Sequence, residues 1–299
     1  AQPVLADRWG AQMQIVTDSG MNLVPEMSQG LEIHIVPHTI VLGDTVYRSE
    51  VDIDAATFYR RLVQTGAFPT TSLPSPGDFA AVYRELAATD PDILSIHMSS
   101  GLSGTEASAR AGAAMVPEAH VTVVDTKTLS GVQGWLVAAA VRCARAGWDV
   151  QRIVELLGRL AAACDSVYTL TDLRYLIHGG RISHMKGLLG AALHLKPLIL
   201  VEHERGTYEQ VGIARTEQRA LRGLIQQIER RYPAGTALRC QIMHGDNPTA
   251  VEELHGLADA TFDCHWLPVG NMTVVLGAHT GPTMVGFACG PQALFATLP

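Results

Sequence analysis

The sequence has few aromatic residues, no long apolar run and no excess of basic residues. Aromatic residues are 6% of the 299 residues against a hydrophobic share of 47%, so aliphatic side chains must form most of the interior. No stretch approaches the roughly 18 consecutive apolar residues of a membrane span, and we expect a soluble protein. The formal net charge is −7 and the basic residues are scattered, which argues against nucleic acid as a partner.

Cysteine pairs and the common catalytic signatures are also missing. The five cysteines are odd in number, widely spaced and without a CxxC pair, so neither a disulfide framework nor a zinc site is indicated. The patterns GxSxG, GxxxxGK[ST], GxGxxG and HExxH do not occur in the contexts that would support them. Residues 1–12 lack the features of a secretory signal. We therefore expect a cytoplasmic protein without a metal or cofactor.

The first half of the sequence predicts a parallel α/β sheet. Apolar runs of strand length alternate with helical patterns, and their continuous hydrophobicity is typical of strands buried on both faces. Polar residues follow these runs, at the edge where such sheets bind ligands. Gly147 is predicted to end a helix and Asp149 to cap the next one. We accordingly predict an N-terminal parallel α/β domain at residues 12–147 and a C-terminal domain at residues 148–299.

The second half predicts an α+β domain with a mixed or antiparallel sheet. Two strands should be joined by a turn at Arg205 and Gly206, followed by a long amphipathic helix. The stretches NMTVVLGAHTG and TMVGFACG are predicted as terminal strands. The fold class is therefore α/β with two domains.

The stretch SSGLSGTE, residues 99–106, concentrates hydroxyl side chains between a predicted strand and a helix. Ser103 and Glu106 stand at the spacing of a capping box, which explains them without a ligand. A helix N-terminus also offers free N–H groups to a carboxylate or phosphate, and added hydroxyls would extend such a site. The two interpretations are compatible.

Further stretches likewise fit either a turn or cap or a ligand contact. They hold Asp18 and Ser19 after the first strand, Thr71 in TTSLPS, His279 and Thr280 in GAHTGP, and Arg181 in HGGRIS. Ser75 is well accounted for as a helix cap, whereas Thr71 is not. Arg181 fits either a solvated loop or a contact with a partner protein.

Eight stretches, in order and at approximate spacing, make the chain resemble the DegV family from about Gln14 to the C-terminus. They are IVTDSGMNL, TTSLPS, SSGLSGTEASA, VVDTKTLSGVQG, LRYLIHGGRIS, LKPLILVEHERG, ART and GAHTGP. The resemblance implies a parallel α/β domain followed by a domain with a more mixed sheet, with the ligand between them. It also implies a fatty-acid-binding protein that presents the bound carboxylate to a separate ATP-dependent fatty acid kinase subunit.

The resemblance further implies which residues hold a long-chain fatty acid. Carboxylate contacts map to Thr71, Ser103 (or Ser100) and His279. We add Asp18, Ser19 and Thr280 as ligand-binding candidates, and the resemblance implies Arg181 as a contact with the partner.

The tail and the head group would contribute different free energies to binding at such a site. Burying roughly 14 methylenes at about 0.8 kcal/mol each yields on the order of 11 kcal/mol, whereas a neutral hydrogen bond contributes about 1 kcal/mol. An inter-domain tunnel would therefore set affinity, and the hydroxyls would set orientation. Because a buried charge needs partners, we expect hydroxyl donors, helix N–H groups and a protonated His279 around the carboxylate.

Two alternatives to a carrier remain open. One is a serine hydrolase or phosphotransferase with Ser103 as nucleophile and His279 as base, although no third catalytic residue and no nucleophile elbow are evident. The other is a regulatory sensor that binds lipid without a kinase. We expect a lipid-binding carrier rather than an enzyme.

Overall fold

The computed structural model describes residues 13–23, 25–184 and 195–299. Its strands are β1 Gln14–Asp18, β2 His34–Val36, β3 Thr39–Leu42, β4 Thr45–Arg48, β5 Thr70–Ser72, β6 Asp92–His97, β7 His120–Asp125, β8 Asp165–Thr169, β9 Lys196–Val201, β10 Tyr208–Ala214, β11 Ala237–His244, β12 Asp263–Trp266, β13 Gly270–Asn271 and β14 Val285–Pro291. Its helices are α1 Pro25–Ser28, α2 Ala55–Thr65, α3 Pro76–Ala87, α4 Thr105–Ala114, α5 Ser130–Arg145, α6 Val150–Ala163, α7 Arg174–His178, α8 Glu217–Glu229, α9 Pro248–Asp259, α10 Val274–Thr280 and α11 Gln292–Ala296, with a 3-10 helix at Arg181–His184.

The predicted parallel sheet is confirmed. Its strands run in the order β2-β1-β6-β7, and each neighbouring pair is parallel. The carboxyl ends of β1 and β6 therefore meet at one edge, where Asp18 and His97 are the last strand residues. This edge supplies one wall of the site described below.

The predicted mixed sheet is also confirmed. Its order is β10-β9-β8-β14-β11-β12, with β13 pairing β11. Most neighbours are antiparallel, whereas β12 and β13 run parallel to β11. The turn between β9 and β10 lies where it was predicted, and Gly206 adopts φ +66° there, a conformation that favours glycine.

One predicted terminal strand is wrong. NMTVVLGAHTG contains the two-residue strand β13 and then the helix α10, whereas TMVGFACG does contain a strand, β14. Every residue of α10 is buried, so its apolar side chains do not mark one face, and periodicity cannot separate a short buried helix from a strand. The carboxylate of Glu50 accepts the backbone N–H of Val274 at 2.9 Å and so caps the start of this helix.

A small third sheet was not predicted. Its order is β4-β3-β5, with antiparallel pairs. LEIHIVPHTIVL, one of the apolar runs from which the sequence predicts the strands of the parallel sheet, is divided between β2 and β3, which belong to different sheets. The division falls at Pro37 and His38, and a proline cannot donate a hydrogen bond to a continuing strand ladder.

The predicted helix ends are mostly confirmed. Ser75 caps α3 in a capping box with Asp78, and Asp149 caps α6. Gly147, at φ +76°, follows the end of α5. The sheets separate along the chain at this point, since the parallel sheet uses residues before 147 and the mixed sheet residues after 148. The predicted domain division between residues 147 and 148 stays a prediction, and its start at residue 12 lies outside the described residues.

The capping box predicted at Ser103 is wrong. Gly104 occupies the cap position of α4 and makes no side-chain capping bond. Ser103 Oγ instead lies 2.7 Å from Thr105 Oγ1, and Glu106 pairs with Arg110. The Ser103 hydroxyl thus contacts Thr105 rather than the backbone N–H of Glu106 that a capping box would use.

The two halves of the molecule join through a continuous hydrophobic core. One buried cluster combines Ile40 and Phe58 from the first half with Ile199 and Tyr208 from the second. Beside it, Ser99 Oγ donates to the Gly206 carbonyl at 2.8 Å across the β9-β10 turn. These contacts bring the edge of the parallel sheet against the mixed sheet.

Candidate functional site

A cavity of about 330 Å³ lies where the loops after β2 and β6 meet β5 and α10. Its volume falls within the roughly 300–1,000 Å³ of small-molecule sites. We call it the polar chamber; its lining residues are His38, Thr71, Ser72, Leu73, Met98, Leu102, Ser103, Arg181, Tyr208, Val275, Leu276 and His279. The sequence candidates Thr71, Ser103 and His279 therefore come together from three distant parts of the chain.

A second, much smaller cavity of about 10 Å³ adjoins the chamber. We call it the apolar cleft; it is lined by Leu129, Tyr168, Leu170, Leu176, Ile199, Tyr208, Met272, Leu276, Thr280 and Met284. Tyr208 and Leu276 border both spaces. The arrangement places a polar compartment beside a nearly closed apolar one.

His279 is held by Thr71 and is neutral in this structure. Its Nε2 lies 2.9 Å from Thr71 Oγ1, while its buried Nδ1 has no partner among the described residues. Burial, followed by repulsion from Arg181, His38 and His178, lowers its pKa from 6.5 to about 3. At this pKa the positive charge of the chamber comes from another group, while a protonated His279 beside a bound carboxylate stays a prediction.

Ser103 is the end of a hydrogen-bonded series that we call the His38 relay, formed by Ser19, His38, Thr105 and Ser103. Ser103 Oγ lies 2.7 Å from Thr105 Oγ1, which lies 3.0 Å from His38 Nε2. His38 Nδ1 lies 2.9 Å from Ser19 Oγ. Sequence reasoning missed His38, although its place just after a strand of the parallel sheet was a usable signal. Ser19 does not line the chamber, so it reaches the site only through this relay.

Burial also lowers the pKa of His38. Attraction from Asp18 opposes this effect, and repulsion from His97 and Arg181 adds to it. The imidazole is thus neutral near pH 7, like that of His279. A neutral ring donates from one nitrogen and accepts at the other, which gives the relay a direction.

Arg181 borders the chamber itself. It is the one permanently charged side chain in the described lining, and its Nη1 donates to the Gly179 carbonyl at 2.7 Å. Its partly buried guanidinium acts on both histidines of the site. The residue predicted only as a partner contact thus also faces the place where a ligand would lie.

Asp18 does not face the chamber. Its fully buried carboxylate accepts from the backbone N–H of Gly20 at 2.8 Å and of Met98 at 3.0 Å, and from His97 at 2.9 Å. Burial would raise its pKa, but the hydrogen bond and charge of His97 hold that pKa at about 2. Asp18 therefore organises the sheet edge and leaves no obvious capacity for a ligand.

Ser100 and Thr280 also lie outside the chamber lining. Ser100 is exposed, and its Oγ accepts from Lys127 Nζ at 3.1 Å. Thr280 lines the apolar cleft and donates to the Leu276 carbonyl within its own helix at 3.1 Å. Of the two serines carried by the family resemblance, the geometry favours Ser103.

The arrangement does not match a serine hydrolase. In the described residues, Ser103 Oγ is bonded to Thr105 and His279 Nε2 to Thr71, so no hydrogen bond joins the two. A histidine with a pKa of about 3 is also a poor general base near pH 7. The groups are placed to donate hydrogen bonds rather than to activate a nucleophile.

Two features are missing from the described part of the chain. No group of three or more His, Cys, Asp or Glu side chains is placed to hold a metal ion. No helix there is both long and apolar enough to cross a membrane.

Comparisons with known proteins agree with this architecture. A model described as "Uncharacterised protein, DegV family" matches residues 12–292. A DegV domain-containing protein of Deinococcus radiodurans is 30% identical over 279 residues, 93% of this chain and 96% of the relative. A solved DegV family protein from Thermus thermophilus, described by its fatty acid binding, has 31% identity and a TM-score of 0.83 over 94% of this chain and 99% of that one. The Bacillus subtilis protein DegV, described as a fatty acid binding protein, has 26% identity and a TM-score of 0.83 over 94% of this chain and 99% of its own.

Proposed function

The chain belongs to the DegV family, and from this premise we propose that it binds a long-chain fatty acid between its two halves. The carboxylate lies in the polar chamber and the tail extends into the apolar cleft. The observation that carries this proposal is the convergence of Thr71, Ser103, His279 and Arg181 on one cavity that adjoins an apolar space.

The chamber suits a carboxylate because it supplies both donors and a charge. Thr71 and Ser103 each carry a hydroxyl at its wall, and Arg181 supplies the positive charge that a neutral His279 cannot. Burying a carboxylate without such partners is costly, whereas hydrogen bonds between charged groups are stronger than neutral ones. Arg181 is therefore proposed as the counter-ion of the bound acid.

The apolar cleft suits an acyl tail that displaces the surrounding side chains as it binds. Its volume of about 10 Å³ cannot hold an acyl chain without movement of its walls. Met272 and Met284 contribute to those walls, and methionine side chains repack easily because they are unbranched. We accordingly propose that the tail opens an inter-domain tunnel along this cleft by displacing flexible side chains.

We also propose that the protein is a carrier that presents the carboxylate to an ATP-dependent kinase subunit. The chamber has partly open walls, since Leu73 beside Thr71 is 43% exposed. A head group near this wall would be accessible to a second protein, and Arg181 could contact both ligand and partner. The likeness to fatty-acid-binding relatives supports the carrier role, while the kinase subunit rests on the family resemblance.

The direct test is to identify what the protein carries when purified from cells. Native mass spectrometry should show a mass increment, and organic extraction should release a long-chain fatty acid. Burial of the tail is the reason for this expectation, since each methylene contributes about 0.8 kcal/mol. Repeated extraction of folded protein without any acyl species, together with no binding of added hexadecanoic acid, would rule the proposal out.

A further inference from the structure

Ser19 determines which nitrogen of His38 carries hydrogen. Ser19 Oγ accepts the backbone N–H of His38 at 3.0 Å and lies 2.9 Å from His38 Nδ1. In the described residues, Nδ1 is the one acceptor within reach of the Ser19 hydroxyl hydrogen, and Ser19 is 1% exposed. If Nδ1 carried the ring hydrogen instead, the Ser19 hydroxyl hydrogen would be buried without an acceptor, which is unfavourable. Ser19 therefore donates to Nδ1, and the neutral ring carries its hydrogen on Nε2.

This tautomer sets the direction of every later bond in the relay. His38 Nε2 donates to Thr105 Oγ1 at 3.0 Å, and the Thr105 hydroxyl then donates to Ser103 Oγ at 2.7 Å. Ser103 Oγ also accepts the backbone N–H of Thr105 at 3.3 Å. Both lone pairs of Ser103 are thus engaged, and its own hydrogen remains available at the wall of the chamber.

The opposite tautomer would reverse the chemistry that Ser103 offers. Thr105 would then donate to Nε2, and Ser103 would donate to Thr105. The chamber would meet a lone pair of Ser103, which repels a carboxylate, since an ionised carboxylate only accepts hydrogen bonds. The direction of the relay thus matters most for a ligand head group that only accepts hydrogen bonds.

We propose that His38 is a positioning residue that fixes the Ser103 hydroxyl as a donor to the ligand carboxylate. This rests on the proposed function, because it concerns how the same chamber recognises its ligand. It goes beyond that function because it names the cause of a preference for an ionised acid over other head groups. That cause is the buried imidazole of His38 together with the Ser19 hydroxyl bonded to it.

Two amide substitutions separate the halves of the relay. His38→Gln can place an amide N–H near the position of Nε2 and keep the bond to Thr105, whereas His38→Asn can place an amide oxygen near Nδ1 and serve Ser19 only. Affinities for hexadecanoic acid and hexadecan-1-ol, which share a tail, are measured for the wild type and both variants. The exposed His120, bonded to Asp92, provides the control His120→Gln.

We expect His38→Asn to lose about tenfold in affinity for the acid, the effect of weakening one hydrogen bond to a charged group. Its affinity for the alcohol should stay within about twofold of wild type by the same argument, because the tail contacts are unchanged. His38→Gln and His120→Gln should keep the wild-type preference for the acid. Equal behaviour of the Asn and Gln variants would overturn the assignment.

A measurement on the unaltered protein covers the case in which a variant does not fold. Ring-nitrogen NMR of ¹⁵N-histidine-labelled wild type, with hexadecanoic acid added, should show His38 as the Nε2–H tautomer. An Nδ1–H tautomer would overturn the proposal, whatever the variants do. Failure of the wild type to bind hexadecanoic acid at all would instead remove the proposed function, while the tautomer would still decide the direction of the relay.

Discussion

The polar chamber and the apolar cleft share two wall residues but are built in opposite ways. The chamber encloses about 330 Å³ and holds hydrogen-bonding groups in place through long-range bonds. The cleft encloses about 10 Å³ and is lined by aliphatic, methionine and tyrosine side chains together with Thr280. Under the proposed function, recognition of the carboxylate would depend on this prearranged geometry, whereas binding of the tail would depend on side chains that can move apart. The difference implies that orientation and affinity of the ligand can be altered separately.

Shortening the ligand tail should produce the largest effect. Replacing hexadecanoic acid by octanoic acid removes eight methylenes and should weaken binding by up to about 6 kcal/mol, at about 0.8 kcal/mol for each methylene. Isothermal titration of the acid series measures the slope. Equal affinity of both acids would mean that the tail does not enter the cleft.

Lowering the pH should reduce the free energy of unfolding because His279 in the chamber resists protonation. The folded pKa of His279, about 3, lies below its ordinary 6.5, so the unfolded chain binds the proton first as pH falls. Stability should therefore decline from about pH 6.5 downward. Asp18, with a pKa of about 2, adds its own loss mainly below about pH 4.

The measurement is urea unfolding at pH 7 and pH 4.5 for the wild type and His279→Gln. The wild type should lose about 2–3 kcal/mol more than the variant over this interval, since one pKa unit corresponds to about 1.4 kcal/mol. Met272→Leu in the cleft is the control and should keep the wild-type pH dependence. Parallel pH profiles for wild type and His279→Gln would show that His279 does not stay neutral.

Removing the charge of the chamber should have a smaller effect, confined to the acid. Arg181→Ala should weaken hexadecanoic acid binding by about 1.5–3 kcal/mol, the range for hydrogen bonds to charged groups. Affinity for hexadecan-1-ol should change little. The control is Arg174→Ala, because Arg174 is bound to Asp172 and does not line the chamber.

An equal loss for acid and alcohol in Arg181→Ala would point to a structural role. Unchanged acid binding would return Arg181 to a contact with a partner protein alone. Either result would contradict its assignment as a counter-ion.

Local sequence signals predicted the elements but not their meeting points. The parallel strands were predictable because continuous apolar runs of strand length, bounded by turn residues, are typical of strands buried on both faces. Ser75 and Asp149 carried complete capping signals. The helix α10 was mistaken for a strand because it is buried all round. The elements that were predicted correctly carry their signals in their own stretch of sequence, whereas the stretch that forms α10 carries no signal that separates a helix from a strand.

Only those site residues that lie in separate sequence motifs could be predicted. Thr71, Ser103 and His279 were named from the family resemblance, and the structure brings them to one cavity. His38 was missed because its importance lies in bonds to Ser19 and Thr105, the second of which spans 67 positions of sequence. Arg181 was assigned to a surface role because nothing in HGGRIS indicates which side of the loop it faces.

The bond between Thr71 and His279 joins positions 208 residues apart. Contacts of such high sequence separation require the closure of long loops and form late when a chain folds. During synthesis, β5 leaves the ribosome long before α10 exists, so the chamber has no complete wall until α10 has emerged. Under the proposed function, a fatty acid would therefore stabilise the chamber only after both β5 and α10 have been made, and it could not template the folding of the earlier elements.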